Sequence, residues 1–274
     1  MQTTAFDPQV MRRWLTVTLA VALVALNLPL IFADGEGRVF FGNWILNATS
    51  AGAFALAAVV ALRQGKSGLY GKAQAAFALA LGLWLAGELL WTYYELGLGI
   101  DNPFPSLADA AWLAWYAPAA YYLFRIYRFF GAGQNRLALA VSVATAAFVA
   151  YSAIELVLVS ADPEGDALSL AVSLLYVAVD GLLIVPAVLV LLRLKSGKLT
   201  GVPWFLLSIS MLLFAAADLG FAYHSAIGAP ENDWVWDPLY NAAYIMMAAT
   251  LFWHNRFFIY DRDAARKTWQ QENR

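Results

Sequence analysis

The sequence predicts an all-α membrane protein of eight transmembrane helices. They are arranged as two parallel four-helix repeats, with both termini in the cytoplasm. Three observations predict it. Hydrophobic residues occupy 62% of the 274 positions and charged residues 13%, against about 45–50% and about 25% in a soluble domain. Eight apolar runs succeed one another, each near the ~20 residues that a bilayer core requires. The basic residues fall on alternate connections, as the positive-inside rule demands of an even number of spans.

The runs, in order, are 14–32, 39–63, 74–99, 107–131, 136–159, 166–193, 203–228 and 236–258. Arg12 and Arg13 precede the first. That run is long for a signal-peptide core, and Ala33-Asp34-Gly35 is not a small-x-small cleavage site, so a retained helix is expected. The breaks that follow carry charge, Gly or Pro: Asp34-Gly35-Glu36-Gly37, Gly65-Lys66-Ser67-Gly68, Asn102-Pro103, 131–134, Asp162-Pro163-Glu164-Gly165, Lys195-Ser196-Gly197-Lys198 and 230–233. Five basic groups lie on the predicted cytoplasmic side: Arg12 and Arg13; Arg63, Lys66 and Lys72; Arg125, Arg128 and Arg136; Arg193, Lys195 and Lys198; and Arg256, Arg262, Arg266, Lys267 and Arg274. Together they hold 16 of the 17 Lys and Arg residues, leaving Arg38 outside.

The two halves align at an offset of about 130 residues. Leu62-Arg63-Gln64-Gly65-Lys66-Ser67-Gly68 matches Leu192-Arg193-Leu194-Lys195-Ser196-Gly197-Lys198 with a one-residue slip. Glu88 aligns with Asp218, Trp91 with Phe221 and Tyr93 with Tyr223; past a two-residue gap, Asp109, Trp112 and Tyr116 align with Asp237, Tyr240 and Tyr244. Units of four spans enter the membrane in one sense, so a pseudo-twofold axis along the membrane normal is expected. The expected units are 1–132, 133–259 and a cytoplasmic tail, 260–274.

Composition excludes several functions. Without cysteine there is no disulfide, thiolate metal site or cysteine nucleophile. Net charge is −2 and the basic residues are dispersed over short connections, which excludes a nucleic-acid partner. Every Lys lies in a connection or tail, so no mid-membrane lysine is available for a retinal Schiff base. His224 and His254 are expected on opposite sides, which excludes a bis-His haem. No nucleotide loop, zinc-protease motif or nucleophile elbow occurs. The sequon Asn47-Ala48-Thr49 falls inside a span and is not expected to carry sugar.

The candidate site is a set of acids inside the spans. An ionisable group there costs about 2.5–3.5 kcal/mol on insertion scales and faces the bundle interior or water. Glu88, Trp91 and Glu95 share one helix face by i, i+3, i+7 spacing, and Asp218, Phe221 and Ser225 repeat it. With Asp180 and the rim residues Asp109, Trp112, Tyr116, Tyr223, His224, Asp237, Tyr240 and Tyr244, they suggest an outer-half pocket for a lipidic or small-molecule ligand. Two other accounts stand beside it. Glu88 and Asp218 could hydrogen-bond to each other and hold the halves together. Asp109, three residues after Ser106, and Asp237, before Pro238, have the spacing of helix caps. Trp84, Trp91, Trp112, Trp115, Trp234 and Trp236 fall near the outer interface, where an aromatic belt is the ordinary expectation; a ligand cage is the alternative.

Gly87-Glu88-Leu89-Leu90-Trp91, Pro103-Phe104-Pro105-Ser106-Leu107-Ala108-Asp109 and Trp115-Tyr116-Ala117-Pro118 resemble the multispanning amino-terminal region of bacterial membrane-bound diguanylate cyclases, phosphodiesterases and histidine kinases. Leu175-Tyr176-Val177-Ala178-Val179-Asp180, Ala217-Asp218-Leu219-Gly220 and Asp237-Pro238-Leu239-Tyr240 extend the resemblance, which covers about residues 40 to 255. It implies a sensory or anchoring region in the inner membrane. No cyclase, phosphodiesterase or kinase sequence accompanies it here. The region is therefore expected to act alone, to signal to a separate cytoplasmic partner or homo-oligomer, or to belong to a longer protein. The leading expectation is a non-enzymatic sensor. The alternatives are a membrane enzyme on a lipid or isoprenoid substrate, with Glu88 and Asp218 as acid and base, and an accessory subunit of a membrane complex.

Overall fold

The computed structural model describes residues 8–65, 68–129, 136–161, 166–193 and 201–260. Lys66, Lys195, Lys198, Arg262, Arg266, Lys267 and Arg274, most of the basic match at 192–201, the break at 162–165 and the tail lie outside them. The described chain is helical, with no strand: α1 (Pro8–Phe32), α2 (Gly35–Gln64), α3 (Gly68–Thr92), α4 (Leu107–Phe129), α5 (Arg136–Ser160), α6 (Ala167–Arg193), α7 (Val202–Ala226) and α8 (Asp237–His254). A π-helical turn, Tyr93–Gly97, extends α3; a 3₁₀ turn, Pro230–Val235, precedes α8; and a second π-helical stretch, Asn255–Tyr260, follows it.

Six of the eight helices among the described residues (α1, α2, α3, α5, α6 and α7) are long and apolar enough to cross a membrane. The other two, α4 and α8, contain Asp109, Arg125 and Arg128, and Asp237, Asn241 and His254, along with several Tyr and Trp. Three of these polar groups, Asp109, Asn241 and His254, are buried, Arg125 and Asp237 are half-buried, and Arg128 is exposed. A helix whose polar residues face other helices needs less apolarity than one bathed in lipid.

Six helices close into a ring. Going round it, α2 packs on α3, α3 on α4, α4 on α6, α6 on α7, α7 on α8, and α8 back on α2. The remaining two lie outside. α1 leans on α8 and α2, whereas α5 leans on α6 and α7. Only 11% of the apolar window of α1 and 22% of that of α5 is buried, against 56% in α7. Aromatic side chains fill the ring centre. Trp84 of α3 meets Phe214 of α7 at 4.6 Å between centroids, Trp115 lies edge-on to Trp84 at 5.0 Å, and Tyr244 lies edge-on to Phe214 at 5.2 Å.

Local chemistry sets several helix ends. Ser106 and Asp109 form the expected capping box at α4: the Ser106 N–H donates to Asp109 Oδ2 at 2.6 Å and the Ala108 N–H to Ser106 Oγ at 3.1 Å. Gly65 ends α2 at φ 72°, a conformation that a side chain disfavours. The expected cap at α8 is absent. Trp236 holds the N-cap position without a side-chain cap bond, and Asp237 is the first helical residue.

Candidate functional site

A cavity of about 500 Å³ lies at the end of the ring where the α1–α2, α3–α4 and α7–α8 connections gather. All six ring helices line it, and neither α1 nor α5 does. Exposed Gly35 and Asp101 stand at its rim, and buried Glu88, Asp109, Ser173 and Asp218 lie at its depth. Its size falls within the ~300–1,000 Å³ of small-molecule pockets.

Eight of the expected site residues line the cavity: Glu88, Trp91, Glu95, Asp109, Trp112, Asp218, Asp237 and Tyr240. The face predicted on α3 is therefore realised in full; on α7, Phe221 joins Asp218 but Ser225 does not. Tyr116, Asp180 and Tyr244 lie outside the lining but bond to residues within it or beside them. The Tyr116 hydroxyl sits 2.7 Å from Asp180 Oδ1 and 3.0 Å from Asp218 Oδ2. Tyr240 donates to Asp218 Oδ1 at 2.5 Å. Tyr244 donates to Glu88 Oε1 at 2.6 Å, joined by the Trp84 indole N–H at 2.8 Å. Tyr223 and His224 fall off the cavity face of α7, because the helical period that aims 218, 221 and 222 inward turns 223 and 224 away. His224 instead lies against the Trp236 indole N–H and Asp233, each 3.2 Å from Nδ1.

Two expectations are corrected by these contacts. Glu88 and Asp218 do not hydrogen-bond to each other; each is held by a tyrosine from the opposite half, Tyr244 of α8 on Glu88 and Tyr116 of α4 on Asp218. Five of the six tryptophans expected near the outer interface turn inward instead of forming an outward belt. Trp84 and Trp115 are buried in the ring centre, and Trp91, Trp112 and Trp234 line the cavity. Glycine makes one of these positions possible, since a Cβ on Gly87 would collide with the Trp112 indole. Gly220 gives the Trp236 indole the same clearance on α7.

The two matched aspartates behave differently. Asp109 spends Oδ2 on the cap and accepts a 3.0 Å bond from Tyr176 on Oδ1. Asp237 makes no side-chain hydrogen bond to a described residue, and its Oδ2 lies 3.0 Å from where a Cβ on Gly42 would stand.

Sequence reasoning missed a polar ladder between α2 and α3. Asn43 donates to Glu95 Oε2 at 2.6 Å, Thr92 to Asn43 Oδ1 at 2.7 Å, and Asn47 to Thr92 Oγ1 at 2.5 Å. The signal was there: two asparagines four apart in an apolar helix share one face. Also missed was Arg38, whose guanidinium lies 3.9 Å over the Trp234 ring while donating to the Leu30 and Ala33 carbonyls at 3.2 and 2.7 Å. Among the described residues no three His, Cys, Asp or Glu side chains are grouped to hold a metal ion.

The arrangement can enclose a small molecule between acids and aromatic faces contributed by both halves. Comparison with known proteins finds no matching family model, no matching curated protein and no matching solved structure.

Proposed function

We propose that this chain is a non-enzymatic sensor or ligand-binding module of the bacterial inner membrane, with the ligand seated between its two halves. The observation that carries the proposal is the cavity of about 500 Å³ whose wall includes both halves' acids and aromatics. Eight spans with cytoplasmic termini belong to the same proposal. In that arrangement α4 and α8 cross as the polar, protein-facing members of the ring. The parallel duplication is supported by the crossed pairs Tyr116–Asp218 and Tyr244–Glu88, and by contact between the matched residues Trp84 and Phe214. Residues at matched positions touch one another only near a twofold axis. The signal would leave through α8 and the tail to a cytoplasmic partner or a second copy.

Two measurements test it. Reporter fusions should place residues 160–166 outside the cytoplasm and the tail inside; the reverse orientation would sink the topology. The purified chain in lipid nanodiscs should gain thermal stability from at least one class of small amphiphile, since a ligand at 100 times its Kd adds about 2.7 kcal/mol. A flat response to cationic, neutral and anionic classes alike would remove the binding function.

One observation favours a second reading, acid–base chemistry on a lipid or isoprenoid: Glu88 and Asp218 line the same cavity. Turnover of an added isoprenoid, lost in both Glu88→Gln and Asp218→Asn, would establish it in place of sensing.

A further inference from the structure

The cavity's charge is unbalanced. Seven carboxyl groups line it against one guanidinium, that of Arg38. Arg38 is spent elsewhere: it donates to the Leu30 and Ala33 carbonyls, covers Trp234, and forms no ion pair with a described residue. Two of the carboxyls present unused acceptors. Glu88 is 7% exposed and lines the cavity, yet both its hydrogen bonds from described residues end on Oε1, leaving Oε2 with no described partner. Asp237 bonds to no described residue through either oxygen.

The rest of the wall selects the kind of cation. Trp91 and Trp112 stand 5.5 Å apart between centroids, Trp112 and Trp84 6.1 Å, and Phe221 is edge-on to Trp91 at 6.1 Å. Such faces attract a positive charge within about 6 Å of the ring centroid, tryptophan most strongly. A bare metal ion is the wrong shape, because no three potential ligands converge among the described residues. Dispersed acids around a wide aromatic chamber suit a bulky cation that touches several walls at once.

We infer that the cavity binds an organic cation with an apolar body, a substituted ammonium whose charge lies between Glu88 and Asp237 and whose hydrocarbon lies against the tryptophans. The inference rests on the cavity being a ligand site and adds the chemical class of the ligand.

The test uses the full chain in lipid nanodiscs, with tryptophan fluorescence as readout and three probes of one shape: benzyltrimethylammonium, its neutral carbon isostere neopentylbenzene, and the anion benzylsulfonate. The ammonium should bind about ten-fold or more tightly than the isostere, and Glu88→Gln and Asp237→Asn should each remove most of that preference. Asp237→Asn guards against misfolding, since no hydrogen bond of the described structure depends on that carboxylate. Equal or tighter binding of the isostere or the anion would overturn the cation assignment while leaving a ligand site. So would a preference unchanged in both variants. Silence from all three probes in a folded chain would overturn the cation assignment and the binding function together.

Discussion

At matching positions the first half joins α2 to α3 with polar contacts and the second joins α6 to α7 with apolar ones, the polar link between α6 and α7 lying elsewhere, at Asp180 and Asp218 bridged by Tyr116. Where the first half has Asn43, Asn47, Thr92 and Glu95, the positions 130 residues later hold Ser173, Val177, Ala222 and Ser225. The ladder of asparagine, threonine and glutamate bonds has no counterpart there. Val177 and Ala222 instead belong to an apolar cluster with Ala153 and Val157 of α5. This difference accounts for the unlike docking of α1 and α5. The apolar seam of α6 and α7 offers α5 a surface to cover. The matching seam in the first half is polar, and α1 turns to α8, where Asn241 donates to Asn27 at 3.0 Å and accepts from Thr49 at 2.9 Å. Val157 stands at the position matching Asn27.

Four sets of substitutions break or sharpen this contrast, each read by denaturation of the chain in detergent. The largest loss is expected from Val177→Asn, which copies the first half's residue into the second. The amide finds no threonine at position 222, and a buried unpaired amide costs about 3 kcal/mol. Preserved stability would mean that α5 does not seal the seam. Next is Tyr116→Phe, at about 2 kcal/mol, because two carboxyls lose a partner; Tyr244→Phe should cost about half as much, since Glu88 keeps Trp84. The aspartates should then separate: Asp109→Ala loses about 1–1.5 kcal/mol with its cap and the Tyr176 bond, while Asp237→Ala stays within about 0.5 kcal/mol. Equal losses would restore a capping role to Asp237. The smallest effect, under about 1 kcal/mol, belongs to Asn241→Leu. Its clearer sign is local: a cysteine probe at Leu23 should become easier to label as α1 loosens from α8.

Much of this was legible in the residues. Apolar runs located all eight helices, of which six among the described residues are long and apolar enough to cross a membrane, and the i, i+3, i+7 spacing of Glu88, Trp91 and Glu95 placed them together on the cavity wall. The ring order was not legible, because an apolar surface records that a helix is covered and not by what. Asn47 shows the same limit from the other side. Its sequon was set aside because it falls inside a span, yet nothing in the sequence paired its amide with Thr92 across the seam. The failed cap at Asp237 came from reading Asp-Pro as a helix start one residue late; Trp236 already occupies the cap position.

The crossed tyrosines carry a consequence for assembly. Glu88 and Tyr116 reside in one half and Asp218 and Tyr244 in the other, so each half contains both members of the pair that it completes with its neighbour. A half alone leaves its phenol unmet and its carboxyl short of one donor, Glu88 keeping only Trp84 and Asp218 only Tyr240, and two copies of that half, related by a twofold rotation, could supply both. Under the proposed duplication, the single chain corresponds to a fused dimer. Its covalent link is needed less for the bond pattern than to keep unlike copies together, so that one polar and one apolar seam face a shared chamber.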